Sequence, residues 1–274
     1  MSVRFFYKDI EFEGISEGGI RTCVIVKKFN LMFDIGYIHP ERIHIPNVLL
    51  THAHIDHIAG VPYYISQRSL RKLSPPNIYV HREIYEKLEQ ILKLFSELEG
   101  FDYEYNLQVV QGNETIFLNN NHNFKALLSN HRIPSQGYTI YEHVKKLKPE
   151  YLGLDGRDIA QKKMQGENLV NELDIPMVSF SGDTTIEYVL QNKDVMESKI
   201  LFLECTYIDE VRSTSHARSW GHIHLDEIVQ YASCFKNEKL VLMHFSKRYS
   251  ARYIKEIVYK KVPDFLRDRV HCFL

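Results

Sequence analysis

Cysteine is scarce in this 274-residue chain, and its four copies, Cys23, Cys205, Cys234 and Cys272, form no CxxC pair. That excludes a disulfide framework and a cysteine-built zinc ribbon, and it leads us to expect reduced thiols in an intracellular protein, of the cytoplasm first and otherwise of the nucleus or an organelle. Long apolar runs are missing too. No eighteen consecutive apolar residues occur, so no membrane span is expected. The opening Met1-Ser2-Val3-Arg4-Phe5-Phe6 is charged too soon to read as a secretion signal. Nor is there an excess of charge, the formal net value being −1. A general nucleic-acid binder is usually strongly basic, so a nucleic-acid role here would rest on local patches. No internal repeat or low-complexity tract stands out. The length and a hydrophobic content of 44% then point to a globular chain with a sizeable core.

Against these absences stands one dense stretch, Thr51-His52-Ala53-His54-Ile55-Asp56-His57. It follows Asn47-Val48-Leu49-Leu50, a short apolar run that reads as a buried strand. His52 and His54 alternate, so at a strand end both rings can point one way. Asp56 and His57 follow in a turn and point elsewhere. One bend of backbone thus offers two ligand sets, of a kind suited to zinc. The spacing HxHxDH is the shared signature of the metallo-β-lactamase fold, and the chain resembles that fold family.

The rest of the chain agrees. Arg4 to Glu13 alternates and reads as a strand; Thr22–Val26 and Leu31–Asp34 read as a hairpin. Asp34 ends it, either as a brace for the metal loop or as a plain turn. Val61 to Leu73 looks helical, with Arg68, Arg71 and Lys72 forming either a solvated basic face or a phosphate-facing patch. Ile84, Leu88, Ile91, Leu92, Phe95 and Leu98 recur at helical spacing, as core or subunit interface. Strands over 123–128, 137–141, 176–180, 199–204 and 239–244 follow. Thr184 to Glu187 fits a capping box. Between His143 and Pro176 the pattern loosens into a polar surface insertion carrying Lys145, Lys146, Lys148, Arg157, Lys162 and Lys163. Hairpins first, then strands alternating with helices, suggest an α/β class and an αββα sandwich. A single domain over 1–274 is expected, with the insertion at about 143–176.

Four strand ends now each offer a ligand: the HxHxDH turn, His131, Asp183 and His244. His52, His54 and His131 would hold one zinc; Asp56, His57 and His244 would hold a second; Asp183 would bridge them. His216 and His224 read as core or helix-cap residues. Further stretches narrow the resemblance to ribonuclease Z, the endonuclease family that trims the 3′ trailer from precursor tRNA. They are His131-Arg132-Ile133-Pro134-Ser135-Gln136-Gly137-Tyr138, Ser181-Gly182-Asp183-Thr184, Leu203-Glu204-Cys205-Thr206, Ser215-His216-Ala217-Arg218 through Gly221-His222-Ile223-His224, and His244-Phe245-Ser246-Lys247-Arg248-Tyr249. The resemblance covers nearly the whole chain and is nearest the family's short form. It implies two zinc ions, metal-hydroxide attack oriented by Asp56, and a Glu204–His222 pair with His222 as general acid. It also implies phosphate contacts at Ser246, Arg248 and Tyr249, an RNA-gripping arm at 143–176 and a two-fold homodimer. The chain departs from the family where Leu203 and Cys205 flank Glu204, and where the arm lacks a Gly-Pro-rich tip. The alternative is another binuclear zinc hydrolase of the same fold, a small phosphodiesterase or thioesterase.

Overall fold

A computed structural model describes residues 2–112 and 114–274. Alternation in the opening segment builds an antiparallel meander, β1 (Val3–Tyr7), β2 (Ile10–Gly18), β3 (Arg21–Val26) and β4 (Leu31–Phe33). Asn30, left-handed at φ 51°, closes the β3–β4 connection. Three parallel strands then continue this sheet: β5 (Asn47–Leu49), β6 (Asn77–Val80) and β7 (Asn106–Val109). Parallel neighbours need a crossover. Helices α1 (Ile55–Ile58) and α2 (Val61–Leu70) supply one, and α3 (Arg82–Glu99) the next.

The second sheet repeats the plan. Strands β8 (Ile116–Asn119), β9 (His122–Ser129), β10 (Ser135–Leu147) and β11 (Val170–Phe180) are antiparallel neighbours. Strands β12 (Ile200–Glu204) and β13 (Lys239–Met243) extend it in parallel. A short β14 (Phe245–Ser246) crosses to lie beside β2 of the first sheet, and β15 (Val270–Cys272) closes the second beside β13. Helix α4 (Gly156–Met164) sits between β10 and β11. Helices α5 (Glu187–Gln191), α6 (Lys193–Glu197), α7 (Thr214–Ser219), α8 (Leu225–Gln230), α9 (Ala251–Lys261) and α10 (Asp264–Arg267) follow.

Three apolar clusters define four layers. The central one lies between the sheets, where Phe33 stacks on Phe180 at 4.4 Å and Phe12 meets Phe202 at 4.8 Å. A second packs α8 and α9 on the outer face of the second sheet, and a third packs α2 and α3 on the first. This is the expected αββα arrangement.

Several details differ from the sequence reading. Arg68 is buried, neither solvated nor facing a phosphate. Its guanidinium donates to the carbonyls of Ile43 (2.6 Å), in the turn before β5, and Ser74 (2.6 Å), in the turn after α2. Thr184 forms no capping box; Ile186 precedes α5, and the Thr184 amide donates instead to Glu204. Of the α3 stripe, Ile84, Leu88 and Leu92 are buried, while Ile91, Phe95 and Leu98 are exposed. The insertion is more regular than its composition suggests. Strands β10 and β11 stay paired out to Leu147 and Val170, with α4 at the tip. Burial lapses beyond Tyr141, so both faces of this ribbon are polar and no alternation betrays it.

Candidate metal centre

The parallel strands of both sheets end on one edge, which is where such sheets place ligands. The chain leaving β5 carries the HxHxDH turn, with Asp56 and His57 on the single turn of α1. His131 follows β9, Asp183 follows β11, Glu204 ends β12 and His244 follows β13. Gly36 admits this packing: a Cβ there would stand 1.7 Å from the Asp56 carbonyl oxygen.

The seven predicted donors converge in two groups, His52, His54 and His131 with Asp183, and Asp56, His57 and His244. Atoms bound about 2.0–2.1 Å from a tetrahedral zinc stand about 3.3–3.4 Å apart. In the first group, Nδ1 of His54 lies 3.0 Å from Nε2 of His52 and 3.1 Å from Nε2 of His131. In the second, Nε2 of His57 and of His244 are 3.3 Å apart, and each is 3.4–3.5 Å from Oδ2 of Asp56. Asp183 lies between. Its Oδ2 is 3.6 Å from His52, and its Oδ1 is 3.4 Å from His57 and 3.3 Å from His244.

The surroundings fix which ring nitrogens are bare. Nδ1 of His131 faces the Gly221 carbonyl at 2.8 Å, so it must be the donor. Nδ1 of His57 faces Asp34 at 2.7 Å, with the same consequence. The Thr51 hydroxyl donates to Asp34 and so accepts from Nδ1 of His52. The Thr206 hydroxyl donates to Glu204 at 2.7 Å and so accepts from Nδ1 of His244. With every ring neutral, these four Nε2 atoms would present lone pairs into the cluster, toward Nδ1 of His54, toward each other and toward two carboxylates. Oδ1 of Asp183, fully buried, has no hydrogen-bond donor. Lone pairs crowded this way repel unless a cation lies among them, and the donor set fits zinc.

Ionisation follows from burial. Removal from water holds His52, His54 and His131 below the usual histidine range, so these rings stay neutral. Burial opposes charge on His57 as well, but Asp183 and Asp34 overrule it and raise its pKa. That proton occupies the place a metal would take. Burial likewise disfavours charge on Asp183, yet His244 and then His57 pull its pKa well down.

Beside the cluster, Nδ1 of His222 donates to Glu204 at 2.9 Å. Glu204 is wholly buried and also accepts from the Thr184 amide, the Thr206 amide and the Thr206 hydroxyl. Burial of His222 works against its charge; Glu204 and then Asp183 outweigh this and raise its pKa to about 9.

Other predicted residues fare differently. Ser246 is part-buried and accepts from Nε of exposed Arg248 at 3.0 Å. Tyr249 is buried in the core beneath, stacked on Tyr253, and its amide closes the turn onto the Ser246 carbonyl. Its ring thereby supports that turn from within the core. His224 caps α8 reciprocally with Glu227. His216 stacks edge-on against Tyr207 at 5.4 Å. In the arm, Lys145 is tied to Glu172 and Lys162 to Glu167. Among the described residues Lys146, Lys148 and Lys163 have no carboxylate partner. Sequence reasoning missed the hydroxyls of Thr51 and Thr206. Their signal was position, immediately before HxHxDH and at the end of Leu203-Glu204-Cys205-Thr206.

The tRNase Z TRZ1 of Arabidopsis thaliana is 37% identical over 260 residues, spanning 94% of this chain and 92% of that protein. The chain belongs to the tRNase Z family. Human tRNase Z, short form, is similar in structure with a TM-score of 0.61, at 18% identity and 95% coverage of each chain. The metallo-β-lactamase fold protein YhfI of Bacillus subtilis gives 0.63 at 14% identity, covering 94% of this chain and 92% of its own. At those identities the likeness is one of fold, the metallo-β-lactamase sandwich. A family model described as Anti-Pycsar protein Apyc1 matches residues 24–146, less than half of the chain. In this chain the donor cluster and the His222–Glu204 pair sit on the same strand-end edge. No helix among the described residues is long and apolar enough to cross a membrane.

Proposed function

We propose that the chain removes the 3′ trailer from precursor tRNA as a hydrolase holding two zinc ions. The observation that carries this is the convergence of seven donors, with four imidazole N–H groups turned outward, beside an imidazole–carboxylate pair. His52, His54 and His131 would hold one ion, Asp56, His57 and His244 the other, and Asp183 both. Bound there, two zinc ions would make water a nucleophile at neutral pH and neutralise phosphoryl charge. Asp56 orients the attacking water, its Oδ2 held by the Gly19 amide at 3.0 Å. His222 protonates the departing 3′-oxygen from Nε2, its tautomer set by Glu204.

Ser246 and Arg248 hold a phosphate at the rim, and Lys146, Lys148 and Lys163 of the arm contact phosphates farther away. The exposed Ile91, Leu94, Phe95 and Leu98 on α3 form the face of a two-fold homodimer; a monomer mass by light scattering at working concentration would remove that element. The chain acts as one domain in a reducing intracellular compartment, where its four free cysteines stay reduced. The test compares turnover of a 3′-extended tRNA with that of bis(p-nitrophenyl) phosphate and a thioester. Preference for the tRNA is expected; efficient turnover of the small esters with tRNA left intact would favour a small-molecule hydrolase.

A further inference from the structure

One loop brings two pairs of side chains together. Gly221, at φ 73°, lies so close to the chain after β9 that a Cβ would stand 2.7 Å from Nδ1 of His131 and 3.2 Å from the Arg132 amide. On one side of this contact His222 faces His131, ring centroids 5.3 Å apart. On the other, Trp220 faces Arg132, whose guanidinium carbon stands 4.5 Å from the indole centroid. Trp220 is the chain's single tryptophan and is 48% exposed. Arg132 is exposed and has no carboxylate within ion-pair reach among the described residues, unlike Arg218 nearby, which is tied to Glu187 and Glu227. An open cleft runs along this edge, lined by Ser129, Asn130, His131, Arg132 and Thr185.

An arginine held over an aromatic face keeps its fork free while losing little freedom on binding. Placed next in sequence to a candidate metal ligand, with no acidic partner, it matches a phosphodiester. We propose that Arg132, positioned by Trp220, clamps the RNA phosphate adjoining the one that is cut, beside the donor group that contains His131, whereas Arg248 follows His244 of the other group. This rests on the tRNA-processing reading and names a contact within it. Two guanidiniums flanking the reacting phosphate would fix the strand in register, so that His222 meets the departing oxygen.

The experiment uses the zinc-loaded full chain and a 3′-extended tRNA transcript, with KM, kcat and the salt dependence of KM measured for Arg132→Ala, Arg132→Lys, Trp220→Ala and Trp220→Phe. Loss of one charged contact should raise KM about tenfold to a hundredfold in Arg132→Ala. The slope of log KM against log salt should become shallower by about 0.7–0.9, the contribution of one phosphate. Arg132→Lys should recover the slope but only part of the affinity. Trp220→Phe should remain near the parent, and Trp220→Ala should lose affinity with the slope kept. Parent-like KM and slope in Arg132→Ala would overturn the clamp, as would a loss confined to kcat with a lowered melting temperature. A parent enzyme that leaves the precursor uncut would instead overturn the underlying reading, and the clamp with it.

Discussion

Asp34→Asn is the most revealing small change outside the donor set. Asp34 is fully buried at the end of β4, at φ 57°, a conformation that asparagine also tolerates. Its Oδ1 accepts from the Thr51 amide at 2.7 Å, and its Oδ2 accepts from Nδ1 of His57 at 2.7 Å. An amide of the same shape has one oxygen to offer. The Thr51 N–H can only donate, so the oxygen must stay on that side. The new NH2 group then faces His57, which must turn Nδ1 into an acceptor and carry its proton on Nε2. That proton points at His244 and Asp183, where a metal ligand needs a lone pair. Loss of such a supporting hydrogen bond costs about 10–100-fold in metal affinity, or about 1.4–2.7 kcal/mol. Competition for zinc against a chromophoric chelator measures this, with a thermal melt of the metal-free chain as the control for folding. Weakened zinc binding with the melt largely kept is expected. Affinity within about twofold of the parent would refute the claim that Asp34 sets the His57 tautomer.

His222→Ala should lower turnover of precursor tRNA by about 10²–10⁴-fold with substrate affinity little changed; single-turnover kinetics at saturating enzyme would show whether the chemical step carries that loss. Lys146→Ala with Lys148→Ala should weaken precursor binding and flatten its salt dependence, whereas Lys145→Ala should do less, because Glu172 already neutralises Lys145; equal effects from both would count against the arm as described. Glu13 is buried, which works against its charge, but Arg42 at 2.8 Å and Lys27 at 3.2 Å prevail and lower its pKa. Its stabilisation is therefore full above the unfolded carboxylate range and is lost as pH falls below about 4.5. Glu13→Gln should cost about 1–3 kcal/mol near neutrality, discounted because Arg42 and Lys27 are part-exposed, and should flatten the acid limb of a stability–pH curve; an unchanged acid limb would show that the cluster contributes nothing.

The layers and the strand-end edge were legible because they rest on patterns that repeat: apolar runs of strand length, α3 with its buried Ile84, Leu88 and Leu92, and ligand-type residues where strands stop. The seven donors were legible because chemistry limits which side chains can fill such a site. What stayed hidden depended on partners distant in sequence. Arg68 carries the same charge as a surface arginine, and only the carbonyls of Ile43 and Ser74 make it structural. Tyr249 sits in a motif that reads as substrate-facing, yet its neighbour Arg248 points outward while its own ring points into the core. The arm hid for another reason: a ribbon solvated on both faces has no periodicity to detect. The Arg132–Trp220 stack joins residues 88 apart in the chain, across a glycine whose role only the folded contact reveals.

The central claim is that this edge cuts precursor tRNA at one defined bond. A 3′-extended tRNA transcript incubated with the zinc-loaded protein, with both product ends mapped at nucleotide resolution, tests it directly. One cut at the junction of tRNA and trailer is expected, leaving a 3′-hydroxyl on the tRNA and a 5′-phosphate on the trailer, as protonation of the departing 3′-oxygen requires. An intact precursor, or cuts scattered through the trailer, would contradict it.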